Sequence, residues 1–232
     1  MWMMSWRHAI AMSGFVAAIL FGAPERQAAA ADAAGLPALS GRSEPRVVPL
    51  KGDDGLYHQS WFVQSFLDLK EDHAEAKSNR RRFAVIFEQR GCIYCTKMHT
   101  EVLAHRYIND YVRENFSIVQ LDMWGSREVT DFDGTKTIEK KLAERWGILF
   151  TPTVVFFKDD FSGASGTWGP PLEVARLPLG FGPATFIDLF VWIKGEVYKT
   201  DPNFQRFHIA RMAERAALEA RNEAAGAKRE RR

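Results

Sequence analysis

An α/β fold, with a mixed central sheet flanked by helices, is the architecture that this chain of 232 residues predicts. Three features carry the expectation. Apolar runs with strand character, Phe83–Phe87, Ser117–Asp122 and Val154–Phe157, alternate with stretches whose apolar residues recur at helical spacing. The run Val174–Leu177 returns after Asp159–Pro171, which is rich in Gly, Ser and Pro and reads as a turn or hairpin loop. No internal repeat is visible. Strands that alternate with helices and close in a hairpin form a sandwich around one mixed sheet.

Composition sets the outer bounds. At 46% apolar residues the chain can bury a sizeable core, and its length fits one domain with extensions or at most two small ones. A net charge of +2 offers no argument for a nucleic-acid partner. The two cysteines are three positions apart, too close to staple distant parts of a fold, so they read as functional rather than structural.

Taken in order, residues 1–31 have the form of a signal peptide. Arg7 and His8 precede an apolar run from Ala9 to Phe21, and Ala29 and Ala31 satisfy the small-residue rule for cleavage near Ala31–Asp32. The run is shorter than the roughly 20 residues that cross a bilayer; the alternative is an uncleaved membrane anchor. Residues 32–55 read as a linker or arm, rich in Ala, Gly, Pro and Ser. A domain over 56–200 opens with an amphipathic helix from about Leu56 to Ala76, with Trp61, Phe62, Phe66 and Leu69 at helical spacing. Arg80–Arg82 end it and lead into the strand Phe83–Phe87. Met98, Val102 and Leu103 mark the next helix, and Tyr107, Ile108, Tyr111 and Val112 a second short one. Gly125–Gly134 is a polar loop. Thr137–Trp146 is helical, with Ile138, Leu142 and Trp146 on one face, and Phe186, Leu189, Phe190, Ile193 and Val197 mark a helix packed on the sheet. Residues 201–232 form a charged helical extension that could dock through Phe204, Phe207, Met212 and Leu218, with interleaved glutamates solvating it and Ala227–Arg232 frayed.

The chemistry concentrates at Cys92-Ile93-Tyr94-Cys95, between a buried strand and the first turn of a helix. That is the sequence form of a thiol–disulfide redox centre. A free thiol has a pKa of about 8.5, and pairs of this kind at helix N-termini fall to roughly 3.5–7.5. Cys92, at the start of the helix and more exposed, is expected to be the nucleophile; Cys95, one turn inside, is expected to be the resolving thiol. A purely structural disulfide is the poorer account, because so short a loop restrains little of the unfolded chain.

Three motifs together resemble the thioredoxin fold: Gly91-Cys92-Ile93-Tyr94-Cys95 after a buried strand; Trp146 through Thr153, which resembles the segment carrying that family's cis-proline; and Glu173–Leu177 followed by Gly180. The likeness covers about Leu56–Tyr198. Glu88 through Cys95, the Asp131–Gly134 loop and the export signal look most like the SoxW-type periplasmic thioredoxins associated with sulfur oxidation. The resemblance implies a thiol–disulfide oxidoreductase with no cofactor beyond its own disulfide and no metal. It also implies that Pro152 is cis beside the cysteines and that the Thr151 backbone pairs with a substrate strand. Ile93 and Tyr94 stand where cytoplasmic thioredoxin has Gly-Pro; Tyr94 reads equally as a tuning residue or a surface aromatic. Ile86 occupies the place of the buried aspartate of that protein. Glu88 could substitute if it points inward, although an exposed strand-end glutamate is the plainer reading. Lys97 and His99 read first as a solvated helix face.

The resemblance further implies disulfide-bearing periplasmic proteins as substrates, a membrane electron donor, and no nucleic acid; a monomer is expected. An apolar groove around Ile93, Tyr94, Trp146 and Phe150 would suit protein substrates. Rival accounts are a disulfide isomerase or oxidant, a reductant for cytochrome maturation, and, in another class, a copper chaperone using Cys92, Cys95, Met98 and His99, whose soft and borderline donors suit Cu(I).

Overall fold

The computed structural model describes residues 46–164, 166–178 and 180–230, with side chains as far as 224. The signal peptide and most of the arm expected over 32–55 lie outside the described residues. Two short strands, β1 (Leu50–Lys51) and β2 (Tyr57–His58), pair antiparallel. Then come α1 (Leu69–Ser78), β3 (Arg82–Glu88), α2 (Ile93–Lys97) continued by a π-turn over Met98–Val102, α3 (Arg106–Asn115) and β4 (Phe116–Asp122). A hairpin of β5 (Glu128–Thr130) and β6 (Lys136–Ile138) leads into α4 (Glu139–Arg145), followed by β7 (Thr153–Phe157), α5 (Gly169–Leu172) and β8 (Glu173–Pro178). Helices α6 (Pro183–Lys194) and α7 (Phe204–Glu230) complete the chain, joined by a 3₁₀ turn at Val197–Lys199.

The central sheet has the order β4-β3-β7-β8. β3 and β4 are parallel, joined through α2 and α3, whereas β3–β7 and β7–β8 are antiparallel. The mixed sheet flanked by helices is therefore as expected. Because side chains alternate across a strand, β3 feeds two cores. Ala84 and Ile86 face α2, α3 and α6, with Met98, Ile108, Phe186 and Phe190; Phe83, Val85 and Phe87 face α1 and α4, with Leu69, Leu142 and Trp146. Every residue of β3 is buried, which explains its unbroken apolar run. Each fully buried Phe, such as Phe87 or Phe156, contributes about 1.5–3 kcal/mol relative to exposure.

Three expectations need correction. The first helix begins at Leu69, not near Leu56, because Asp68 caps it through the Lys70 and Glu71 amides and Leu67 before it has a positive φ of 62°. In the segment ahead of it Phe62 enters the core while Phe66 is fully solvent-exposed, so the apparent helical spacing reflects separate burial events. The polar loop 125–134 contributes β5, and Thr137 and Ile138 belong to β6, so α4 starts later than read. Finally, α7 continues to Glu230, and Met212 is exposed. Phe204 and Phe207 pack against the core as expected, and beyond them two basic side chains turn to the body. Arg211 and Arg215 are buried against Asp188 of α6, which also accepts from His208 Nδ1 at 2.7 Å. Among the described residues no helix is long and apolar enough to cross a membrane.

Candidate active site

The site forms where β3 ends. The strand delivers the chain to Gln89–Gly91, and Gly91 turns it with a φ of 75°, a conformation that glycine adopts without steric cost. Cys92 then takes the N-cap position of α2, in extended backbone. Its Sγ accepts the Cys95 amide at 3.0 Å, satisfying one of the unpaired N–H groups of a helix start. Cys92 and Cys95 are joined in a disulfide, with Cα atoms 5.2 Å apart. Cys92 is 8% exposed and Cys95 3%, so the outer sulfur belongs to Cys92.

The chain before β7 closes the other side. The Thr151–Pro152 peptide is cis. Thr151 Oγ1 donates to Cys92 Sγ at 3.4 Å, and the Thr151 carbonyl oxygen lies 3.5 Å from the same sulfur. Residues 59 positions apart in sequence thus meet at one atom. Around them stand side chains that water would ordinarily exclude: Ile93 is 71% exposed, Leu149 74%, and Tyr94 and Phe150 54% each. Phe181 and Trp124 are also exposed. Gly180 backs the Tyr94 ring so closely that a Cβ there would lie 3.2 Å from Tyr94 Cδ1. Apolar area of this kind, gathered around a reactive pair, is a surface for a partner.

Other expected site residues fall elsewhere. Trp146 does not line the groove. It is buried among Phe87, Phe132 and Phe157, and its indole N–H donates to Asp131 at 3.1 Å. Burial pulls it inward because the face of α4 that carries Leu142 packs on the sheet. Glu88 is not an exposed strand end; it is wholly buried and accepts from His99 Nε2 at 2.9 Å and from Gln120 Nε2 at 2.9 Å. His99 is likewise wholly buried, not on a solvated face, whereas Lys97 is exposed. The copper ligand set is not assembled either: Met98 packs in the core, and both His99 nitrogens face protein partners, Glu88 and Gln59.

Sequence reasoning missed Gln59, Asn109 and Gln120, which carry the buried hydrogen bonds onward from His99 and Glu88. A glutamine inside the strand run Ile118-Val119-Gln120-Leu121 was the visible signal, since a polar residue within a buried strand must have partners.

Residues 69–162 match the family model described as a thioredoxin-like domain. Among solved structures the chain is similar to a thioredoxin-fold protein from Helicobacter pylori, at 18% identity over 64% of this chain and 99% of that one, with a TM-score of 0.48. It is also similar to a thioredoxin from Thermus thermophilus (26% identity, 55% and 86% covered, TM-score 0.40) and to the C-terminal domain of DsbD from Neisseria meningitidis in the oxidised form (16%, 53% and 90%, TM-score 0.36). No curated protein matches the chain. With its mixed four-stranded sheet and a Cys-x-x-Cys disulfide just beyond β3, the chain has a thioredoxin-like α/β fold.

Proposed function

We propose that this protein is an exported thiol–disulfide oxidoreductase of the SoxW type, which reduces disulfides of periplasmic proteins and is recharged by a membrane electron donor. The observation that carries the reading is the Cys92–Cys95 disulfide held against Thr151–Pro152 within a rim of exposed apolar side chains. In the reduced form the Cys92 thiolate attacks a substrate disulfide, releasing one substrate thiolate and forming a mixed disulfide. Cys95 then attacks Cys92 Sγ, which breaks the mixed disulfide, releases the second substrate thiolate and restores the Cys92–Cys95 bond. Two electrons pass from the dithiol to the substrate. The Cys95 amide at 3.0 Å from Cys92 Sγ favours the thiolate that starts the cycle. Thr151 offers its backbone to the substrate chain, and Ile93, Tyr94 and Phe150 provide the apolar contacts. Export rests on the N-terminal signal, and the redox assignment on the cysteine pair; neither calls for a metal or an added cofactor.

The test is capture. Cys95→Ser is expected to accumulate mixed disulfides through Cys92, and Cys92→Ser to accumulate none. Adducts recovered through Cys95 alone would reverse the roles. A measured potential near about −270 mV fits a reductant, whereas one near about −120 mV makes the protein an oxidant.

A further inference from the structure

The exposed aromatics around the disulfide come from two sides. In the sheet order β4-β3-β7-β8, Gly180 and Phe181 follow one edge strand and Trp124 follows the other, so the cysteine pair beyond the inner strand β3 is flanked from both edges. Tyr94 and Phe181 belong to the apolar rim already described. Trp124 stands apart from them, a large ring 59% exposed to water. Its turn is fixed at several points. Glu139, 1% exposed at the start of α4, accepts the Asp122 amide at 2.9 Å, the Arg127 amide at 3.1 Å and Arg127 Nη2 at 2.6 Å, which ties down both ends. Gly125 lies so close to that carboxylate that a Cβ there would be 2.0 Å from Glu139 Oε2. The Asp122 carboxylate accepts the Trp124 amide at 2.9 Å. The Trp124 indole N–H donates to Gln89 Oε1 at 2.7 Å, and the Gln89 carbonyl in turn accepts the Cys92 amide at 3.3 Å. The ring is thus joined through one residue to the outer cysteine. An aromatic held in place before contact loses little freedom on binding, and tryptophans of this kind are frequent anchors of interfaces.

Charge supplies the chemistry of the partner. Lys140 Nζ lies 5.1 Å from the centroid of the Trp124 ring, within cation–π range. Its helix neighbour Glu144 is paired with Lys141 at 2.7 Å, and among the described residues no carboxylate stands within ion-pairing distance of Lys140. The acids of this edge are engaged: Asp122 holds the turn, Glu139 is taken by Arg127, and Glu128 faces Lys136 at 3.6 Å. Arg90, two residues before Cys92, is exposed and donates to the Asp54 backbone carbonyl at 2.9 Å. Glu101 lies on the opposite side, beside Phe181. The β4 edge therefore presents an aromatic face together with cations that lack a counter-charge, which complements an acidic chain.

We propose that Trp124 and Lys140 form a second arm of the substrate site, which selects protein disulfides whose cysteine is flanked by acidic residues. The inference rests on the thiol–disulfide reading above and names the substrate class of that same site. A flanking glutamate satisfies both groups at once: its apolar stem packs on the indole, and its carboxylate pairs with the Lys140 ammonium. A flanking lysine meets like charge and is disfavoured.

The test uses the reduced full chain and two short peptides. Each peptide carries one cysteine in disulfide linkage to a nitro-substituted aromatic thiol, flanked on both sides by Glu in one and by Lys in the other. The aromatic thiolate is the better leaving group, so Cys92 attacks the peptide sulfur and the coloured thiolate departs; Cys95 then attacks Cys92 and releases the peptide thiol. At low salt the Glu peptide is expected to have a kcat/KM about fivefold or more above that of the Lys peptide, and high salt to shrink the difference. Lys140→Glu should cut that ratio by about fivefold or more. Any change in the thiols themselves cancels, because both peptides meet the same cysteines. A wild-type ratio of about one, or a ratio unmoved by Lys140→Glu, would overturn the inference and leave the redox assignment standing. Failure of the wild type to reduce either peptide would overturn the assignment itself. Should Lys140→Glu fail to fold, NMR of the mixed disulfide between Cys95→Ser and the Glu peptide decides. The Trp124 indole N–H signal, identified by its loss in Trp124→Phe, must shift from its position in the free protein; a stationary signal refutes the proposal.

Discussion

Asp188→Asn removes the negative charge on which α7 is anchored. Asp188 lies on the buried face of α6 and accepts from His208 Nδ1 at 2.7 Å, Arg211 Nε at 2.8 Å and Arg215 Nη1 at 2.8 Å, with a further bond from Arg215 Nη2. Burial by itself would raise its pKa, but the hydrogen bonds from Arg215, Arg211 and His208 outweigh that and hold the carboxyl below its ordinary value. The asparagine variant leaves two guanidiniums, each less than 10% exposed, without a counter-charge. Breaking a buried ion pair from one side costs about 3–5 kcal/mol. For a domain of this size that corresponds to a fall in Tm of about 6–20 °C if α7 and the sheet unfold together. The partly buried Phe204 and Phe207 hold only the start of α7, so the loss should show first in hydrogen exchange over residues 208–218. Because the folded pKa of Asp188 is depressed, its contribution is present above the unfolded carboxylate value and is lost as pH falls through the folded one. A variant with wild-type Tm and unchanged amide protection in α7 would refute the account of the anchor.

Three further outcomes are expected. Gly169→Ala places a Cβ within the ring of buried Trp146 and should cost about 1–3 kcal/mol in chemical denaturation, since both groups are enclosed; an unchanged midpoint would show that the ring can move aside. Asp72, on the first turn of α1, has its pKa raised to about 6, mainly by burial, with Asp68, Glu75 and Glu71 adding to the shift against a hydrogen bond from Ser65. Its ionisation therefore costs the fold stability as pH rises from about 4 to 6, so Asp72→Asn should stabilise the protein at pH 8 by at most about 3 kcal/mol and do nothing at pH 3.5. Equal effects at both pH values would exclude that titration. Phe150→Ser removes an exposed apolar side chain from the rim, so kcat/KM for a protein disulfide should fall several-fold while the rate with a small aromatic disulfide stays the same. Equal losses with both substrates would place Phe150 in the chemistry rather than in recognition.

The sequence by itself determined the alternation of strands and helices and the location of the cysteine pair. Both are local: a strand buried on two faces writes itself as an unbroken apolar run, as in Phe83–Phe87, and a redox pair needs only a three-residue spacing at a helix start. It also marked Pro152 as a neighbour of that pair, through a resemblance rather than through periodicity. Tertiary structure alone decided which way the ambiguous polar residues face. Glu88 and His99 read first as solvent-exposed by spacing, because their partners Gln120, Gln59 and Asn109 arrive from β4, the segment before α1 and α3. Trp146 shows the same lesson in reverse, since an aromatic beside a predicted groove went instead into the second core. The extension α7 docks through Phe204 and Phe207 at its start, as its apolar residues suggest, and then through Arg211 and Arg215, because a single buried carboxylate, Asp188, stands on the helix beneath. Burial of a polar group depends on a partner distant in sequence, and no local pattern carries that information.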